Sequence, residues 1–85
     1  MSLRIEWTPA AERDIRSLDR VTRERIRQAV SRFAASGYGD VTRLQGYARE
    51  WRLRVGQWRV RFTLLADAQT LVVLRILPRG QAYRT

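Results

Sequence analysis

The 85-residue chain contains no cysteine, no histidine and no lysine. Without cysteine it can form neither disulfides nor thiol-ligated metal centres. Without histidine, imidazole-based catalytic triads and histidine-ligated metal sites are excluded. All 17 basic residues are therefore arginines. A guanidinium stays protonated near neutral pH, so no basic side chain here is an ordinary proton shuttle. Acid–base work would have to fall to a tyrosine, a carboxylate or an arginine in an unusual environment. Proline is scarce, with two residues, and no apolar run approaches the roughly 20 residues that span a bilayer. The opening Met-Ser-Leu-Arg-Ile-Glu has no apolar signal region, so the expected location is cytoplasmic and away from the membrane.

What is present is positive charge, and it is unevenly placed. Residues 1–42 hold eight arginines against six acids, whereas residues 43–85 hold nine arginines against only Glu50 and Asp67. Most of the net charge of +9 thus sits in the second half. A charge excess concentrated on one part of a small body points to a polyanionic partner, with nucleic acid the natural choice. An apolar content of 45% fits one compact domain.

The most informative stretch is Glu-Trp-Arg-Leu-Arg-Val-Gly-Gln-Trp-Arg-Val-Arg-Phe, residues 50–62. Trp51, Leu53 and Val55 alternate with Arg52 and Arg54; Trp58, Val60 and Phe62 alternate with Arg59 and Arg61. Side chains alternate faces along a strand, so each run has an apolar face and an arginine face. Gly56-Gln57 suits a two-residue hairpin loop with glycine first. That loop places Arg54 opposite Arg59, Arg52 opposite Arg61, Leu53 opposite Val60 and Trp51 opposite Phe62. Like charges directly opposite destabilise a hairpin by a few tenths of a kcal/mol or more. Together with the local lack of acids, four facing cations imply an anion to receive. Trp51, Trp58 and Phe62 share parity with Leu53 and Val60, which assigns them to core packing and not to base stacking.

Around this hairpin the pattern is α+β. Leu3 to Trp7 alternates as a first strand. Thr8-Pro9 reads as an N-cap with proline at the first helical position, followed by Ala11, Ile15 and Leu18 at helical spacing. Asp19 caps a second helix running to about Ser36, with Ile26, Val30, Phe33 and Ala34 as its stripe and Gly37 as a left-handed C-cap. Gly37 to Asp40 is a turn, and residues 41–49 read as a connecting loop. Phe62 to Leu65 extends the third strand. Residues 71–77 are apolar on both faces apart from Arg75, which suits a strand inside the sheet with Arg75 aimed at the basic face. The expected architecture is an N-terminal strand, a helical hairpin and a three-stranded antiparallel meander, with both helices on one face of the sheet. The whole of residues 1–85 reads as one domain. Near the end, Tyr83 is either a terminal aromatic folded onto the sheet or a tyrosinate favoured by Arg79 and Arg84. No carboxylate pair suggests a two-carboxylate mechanism.

This order, with Leu44-Gln45-Gly46 leading into Trp51-Arg52-Leu53-Arg54-Val55-Gly56-Gln57-Trp58-Arg59-Val60, resembles the RelE/ParE superfamily of bacterial toxins. Those proteins show a Leu-x-Gly step, a basic strand of the form Arg-x-Arg-x-Gly-x-Tyr/Trp-Arg, and a closing basic residue four positions before a tyrosine. Arg79 and Tyr83 match that closing pair. The resemblance spans nearly the whole chain and implies the toxin of a type II toxin–antitoxin pair, neutralised by a cognate antitoxin protein. RelE-like members cleave mRNA in the ribosomal A site, and the dense basic face and terminal tyrosine are RelE-like features. ParE-like members instead inhibit DNA gyrase without nuclease activity. A non-catalytic nucleic-acid-binding module is the third class.

For the nuclease reading the resemblance implies a reaction without metal or other cofactor. Arg59 would stabilise the phosphorane-like transition state, Arg79 would stabilise or protonate the leaving oxygen, and Tyr83 would act as general base or orient the nucleophile. Arg52 and Arg54 match positions often held by lysine and would clamp phosphate bidentately. Parity alone makes Arg61 a supporting phosphate contact.

Overall fold

A computed structural model describes residues 2–44, 49–65 and 69–80. The chain begins with β1 (Arg4–Trp7), followed by α1 (Pro9–Arg16) and α2 (Arg20–Ser36), then β2 (Asp40–Arg43), β3 (Glu50–Val55), β4 (Trp58–Leu64) and β5 (Thr70–Pro78). The five strands form one sheet in the order β1-β5-β4-β3-β2. β2 to β5 are antiparallel neighbours, whereas β1 lies parallel to β5. None of the helices is long and apolar enough to cross a membrane, among the described residues.

The helix boundaries follow from local chemistry. Thr8 accepts a hydrogen bond from the Ala11 N–H at 3.1 Å, and Pro9 starts α1 where an N–H would have no helical partner. The same threonine donates its hydroxyl to the Leu74 carbonyl at 2.9 Å, so the cap also fastens α1 to β5. Asp19 caps α2 through the Thr22 N–H. Gly37 ends it at φ 78°, a left-handed conformation that costs a residue with Cβ about 1–2 kcal/mol. Leu18 falls just beyond α1, in the tight link between the helices.

The helical hairpin covers one face of the sheet. Ala11, Ile15, Ile26 and Val30 meet Leu53, Val55, Val60, Phe62, Leu71, Val73 and Ile76 in a single core, with Trp51, Trp58 and Phe33 packed against it. The tryptophans thus lie on the face assigned to them by parity. Trp51 stacks on Phe62 with ring centroids 6.0 Å apart.

Two expectations need correction. The segment read as a loop from residue 41 begins with a strand, because Asp40 to Arg43 pairs with Arg54 to Trp51. The meander therefore has four strands. β2 is a short edge strand with Val41 as its one apolar residue on the core side, where Arg43 lies over the Trp51 ring, too little apolar alternation to mark it in the sequence. The second correction concerns Arg75. By register it lies opposite Arg61 on the basic face, but its guanidinium donates to the Asp14 carboxylate at 2.7 and 3.2 Å. Asp14 also accepts from the Ile76 backbone N–H at 2.9 Å. α1 thereby occupies the edge of β5 beyond the end of β1, and Arg75 is drawn into that junction.

The apolar character of both faces of β5 has a specific cause. The pairing passes from Arg61↔Arg75 to Phe62↔Val73, leaving Leu74 as an extra residue. This bulge reverses the alternation. Leu71 and Val73 face the core on one side of it, and Ile76 does so on the other.

Candidate nucleic-acid interface

The face of the sheet turned away from the helices carries the arginines, and the β3–β4 hairpin sets their positions. Its register is Arg52↔Arg61, Leu53↔Val60, Arg54↔Arg59 and Val55↔Trp58, as the alternation in the sequence requires. Gly56 takes φ 60° in the turn, a conformation that glycine supplies without strain and that matches the twist of a two-residue hairpin.

The four arginines of this hairpin differ in their surroundings. Arg54 is exposed and lies 3.8 Å from Asp40 across β2, a distance and exposure at which an ion pair contributes little. Arg52 is half-buried. Arg59 is only 9% exposed, and its Nη1 donates to the Gly56 and Trp58 carbonyls at 3.0 and 3.1 Å. Those two bonds curl the guanidinium back over the turn and hold its orientation. Arg61 is 7% exposed and donates from Nη2 to both Glu50 oxygens at 3.0 and 3.1 Å.

Arg79 joins this group from the turn that follows β5. Its backbone N–H bonds the Gln57 carbonyl at 2.8 Å, which fixes the start of the C-terminal segment beside the hairpin turn. The consequence appears at Arg59, whose guanidinium is held below its ordinary pKa. Burial is the largest cause, followed by the fields of Arg52, Arg54 and Arg79, with Asp40 pulling the other way. Arg59 therefore stays a cation in an environment that disfavours its charge. An anion seated beside it would relieve that strain, and a fork of N–H donors matches the oxygens of a phosphate.

The fold thus brings Arg52, Arg54, Arg59 and Arg79 into one electrostatic neighbourhood. Arg61 shares their face but is engaged by Glu50. Tyr83 falls outside the described residues. The acids on this face were underestimated in the sequence: Glu50 and Asp40 both contact arginines there. Glu50 stands opposite Thr63, which makes it a diagonal neighbour of Arg61, so the hairpin register already contained the signal.

The family model described as the ParE toxin of the type II toxin–antitoxin system parDE matches residues 5–83. Among solved structures, the archaeal RelE–RelB complex from Pyrococcus horikoshii OT3 is 22% identical, with a TM-score of 0.78, covering 96% of this chain and 100% of that one. A RelE toxin mutant from E. coli in the free state is 17% identical with a TM-score of 0.76, covering 96% and 87%. The YoeB/ParE toxin from Agrobacterium tumefaciens is 19% identical with a TM-score of 0.76, covering 91% and 99%. No curated protein sequence matches the chain. At such identities the structural likeness establishes the fold alone.

Proposed function

The chain belongs to the ParE toxin family of type II toxin–antitoxin systems, and from that premise we propose that it is a toxin that cleaves mRNA on the ribosome and is silenced by a cognate antitoxin protein. The observation that carries this reading is Arg59. A buried guanidinium, tethered by the hairpin carbonyls and pressed by three further cations, is preorganised for charge that develops on a phosphate. Preorganised electrostatics of this kind can be the largest single contribution to a rate.

In the proposed reaction the 2′-hydroxyl loses its proton and its oxygen attacks the adjacent phosphorus in line. The bond from phosphorus to the 5′-oxygen breaks, and that oxygen takes up a proton. The products are a 2′,3′-cyclic phosphate and a 5′-hydroxyl end, with no redox change. Arg59 stabilises the pentacoordinate transition state, Arg52 and Arg54 clamp phosphate oxygens, and Arg79 stabilises or protonates the leaving oxygen. Tyr83, four positions after Arg79 in the sequence, serves as general base or orients the nucleophile. Arg61, held by Glu50, supports the phosphate track by keeping β3 and β4 in register under the other arginines.

Antitoxin control draws support from the solved relatives, several of which are RelE toxins bound to RelB antitoxins. A second reading has its own support in the name of the matched family: a ParE-like inhibitor of DNA gyrase would use the same basic face without any cleavage. The experiment that separates the two adds purified protein to a translating extract and maps mRNA ends by primer extension, with naked RNA and a gyrase supercoiling assay alongside. In-frame cuts that require ribosomes are expected. Inhibited supercoiling with intact mRNA would replace the nuclease reading by the gyrase one.

A further inference from the structure

The arginine face is not the only cationic surface. On the helical side, two adjoining cavities of about 570 and 490 Å³ run between α2 and β3 and share Ala29, Arg32 and Arg54 in their walls. Together they form a trough. Arg25 lines its far end, with its guanidinium against Gly56 at the hairpin tip, 3.4–3.5 Å from where a Cβ would stand. Tyr38 lines its near end, is 68% exposed, and has the Arg32 guanidinium stacked 5.1 Å from its ring centre. Three guanidiniums, those of Arg25, Arg32 and Arg54, thus line the trough against one carboxylate, Asp40, which lies 3.8 Å from Arg54 in an exposed contact.

We infer that this trough binds single-stranded RNA, as a continuation of the strand that crosses the arginine face. Two independent features select this ligand. The spaced guanidiniums suit successive phosphates, and the exposed tyrosine with a guanidinium over it offers flat surface on which an unpaired base stacks. An acidic peptide would use the charges but not the aromatic platform. Duplex RNA would hide the base faces that Tyr38 would read. Arg54 gives the continuity: it lies in register with Arg59 on the sheet face and also lines both cavities. A strand leaving Arg59 can therefore pass Arg54 at the end of β2 and enter the trough toward Arg32 and Tyr38. This rests on the RNA-directed reading above but concerns binding, not cleavage.

The test uses the full chain with fluorescently labelled single-stranded RNA of two lengths: about three nucleotides, enough for the sheet face, and about ten, within the usual site size for such surfaces. Tyr38→Ala should weaken the longer RNA about tenfold or more, while Tyr38→Trp restores it. Arg25→Ala with Arg32→Ala should lower the salt slope of the longer RNA by about 1.4, two phosphate contacts' worth for a single strand. Neither change should affect the shorter RNA. Arg59→Met should weaken both lengths, and if it weakens neither while the trough variants behave as stated, the sheet-face reading fails and the trough stands. Unchanged binding of the longer RNA by the trough variants, or equal loss for both lengths, overturns the inference. So does tighter competition for the trough by an oligoglutamate of equal charge than by unlabelled RNA.

Discussion

Replacing Glu50 by alanine removes the carboxylate that holds Arg61 across 3.0 Å, in a pair whose side chains are 19% and 9% exposed. The guanidinium left behind is buried, and it stands directly opposite Arg52 in the hairpin register. Breaking a buried pair by removing one partner costs about 3–5 kcal/mol. The residual exposure of Glu50 lets water screen part of that, so about 2–4 kcal/mol is the expected loss. A domain of this size holds about 4–13 kcal/mol in all, and the melting temperature should fall by about 10–25 °C. Glu50→Gln, which keeps an acceptor oxygen, should lose clearly less. The decisive variant combines Glu50→Leu with Arg61→Leu, because removing both charges removes the desolvation they impose. It should recover more than half of the loss, giving a coupling of about 2 kcal/mol in a double-mutant cycle by urea or thermal denaturation. A melting temperature for Glu50→Ala within about 3 °C of wild type would show that the pair contributes no such stability. So would a cycle with no coupling. The double variant also tests the role of Arg61: if this residue acts only through Glu50, growth arrest survives its replacement.

Other consequences are as direct. Arg49 holds φ 58° at the entry to β3, so Arg49→Gly should raise stability by on the order of 0.5 kcal/mol, seen as a melting temperature about 2–4 °C higher. Asp14→Ala strips one acceptor from Arg75 and from the Ile76 N–H, and urea denaturation should register a loss of about 1.5–3 kcal/mol. The Asp19 carboxyl is held below its ordinary 3.8 by the Thr22 side chain and N–H. A depressed carboxyl stabilises above its unfolded pKa and loses that contribution as pH falls through the folded value. The melting gap between wild type and Asp19→Ala should therefore be full near neutrality and close at acid pH below 3.8.

The hairpin was legible because strand alternation and a Gly-first loop leave a single register, and every expected pair, from Trp51↔Phe62 to Arg54↔Arg59, is formed. Helix ends were legible because Thr8, Asp19 and Gly37 each satisfy a backbone requirement that few other residues meet. β2 was not, since a four-residue edge strand with one core-facing valine carries no periodic signal. The bulge at Leu74 was hidden as well: an apolar residue on each face reads the same whether a strand is doubly buried or switches parity. For the site, alternation gave the face of Arg59 and Arg61 but not their depth. Depth depends on neighbouring strands and on carboxylates such as Glu50 that find an arginine diagonally. Tyr83 lies outside the described residues, so its place in the site rests on the spacing from Arg79 and the resemblance.

On the proposed reading, the buried guanidinium of Arg59 stabilises phosphate charge during mRNA cleavage. Arg59→Met keeps most of the side-chain volume and removes the charge, so single-turnover cleavage on programmed ribosomes should be measured beside a thermal melt. Cleavage should slow at least about a hundredfold with little change in melting temperature, because the loss of the bonds to the Gly56 and Trp58 carbonyls is offset by removal of a charge that its surroundings disfavour. Cleavage at the wild-type rate by a folded Arg59→Met protein would contradict this reading.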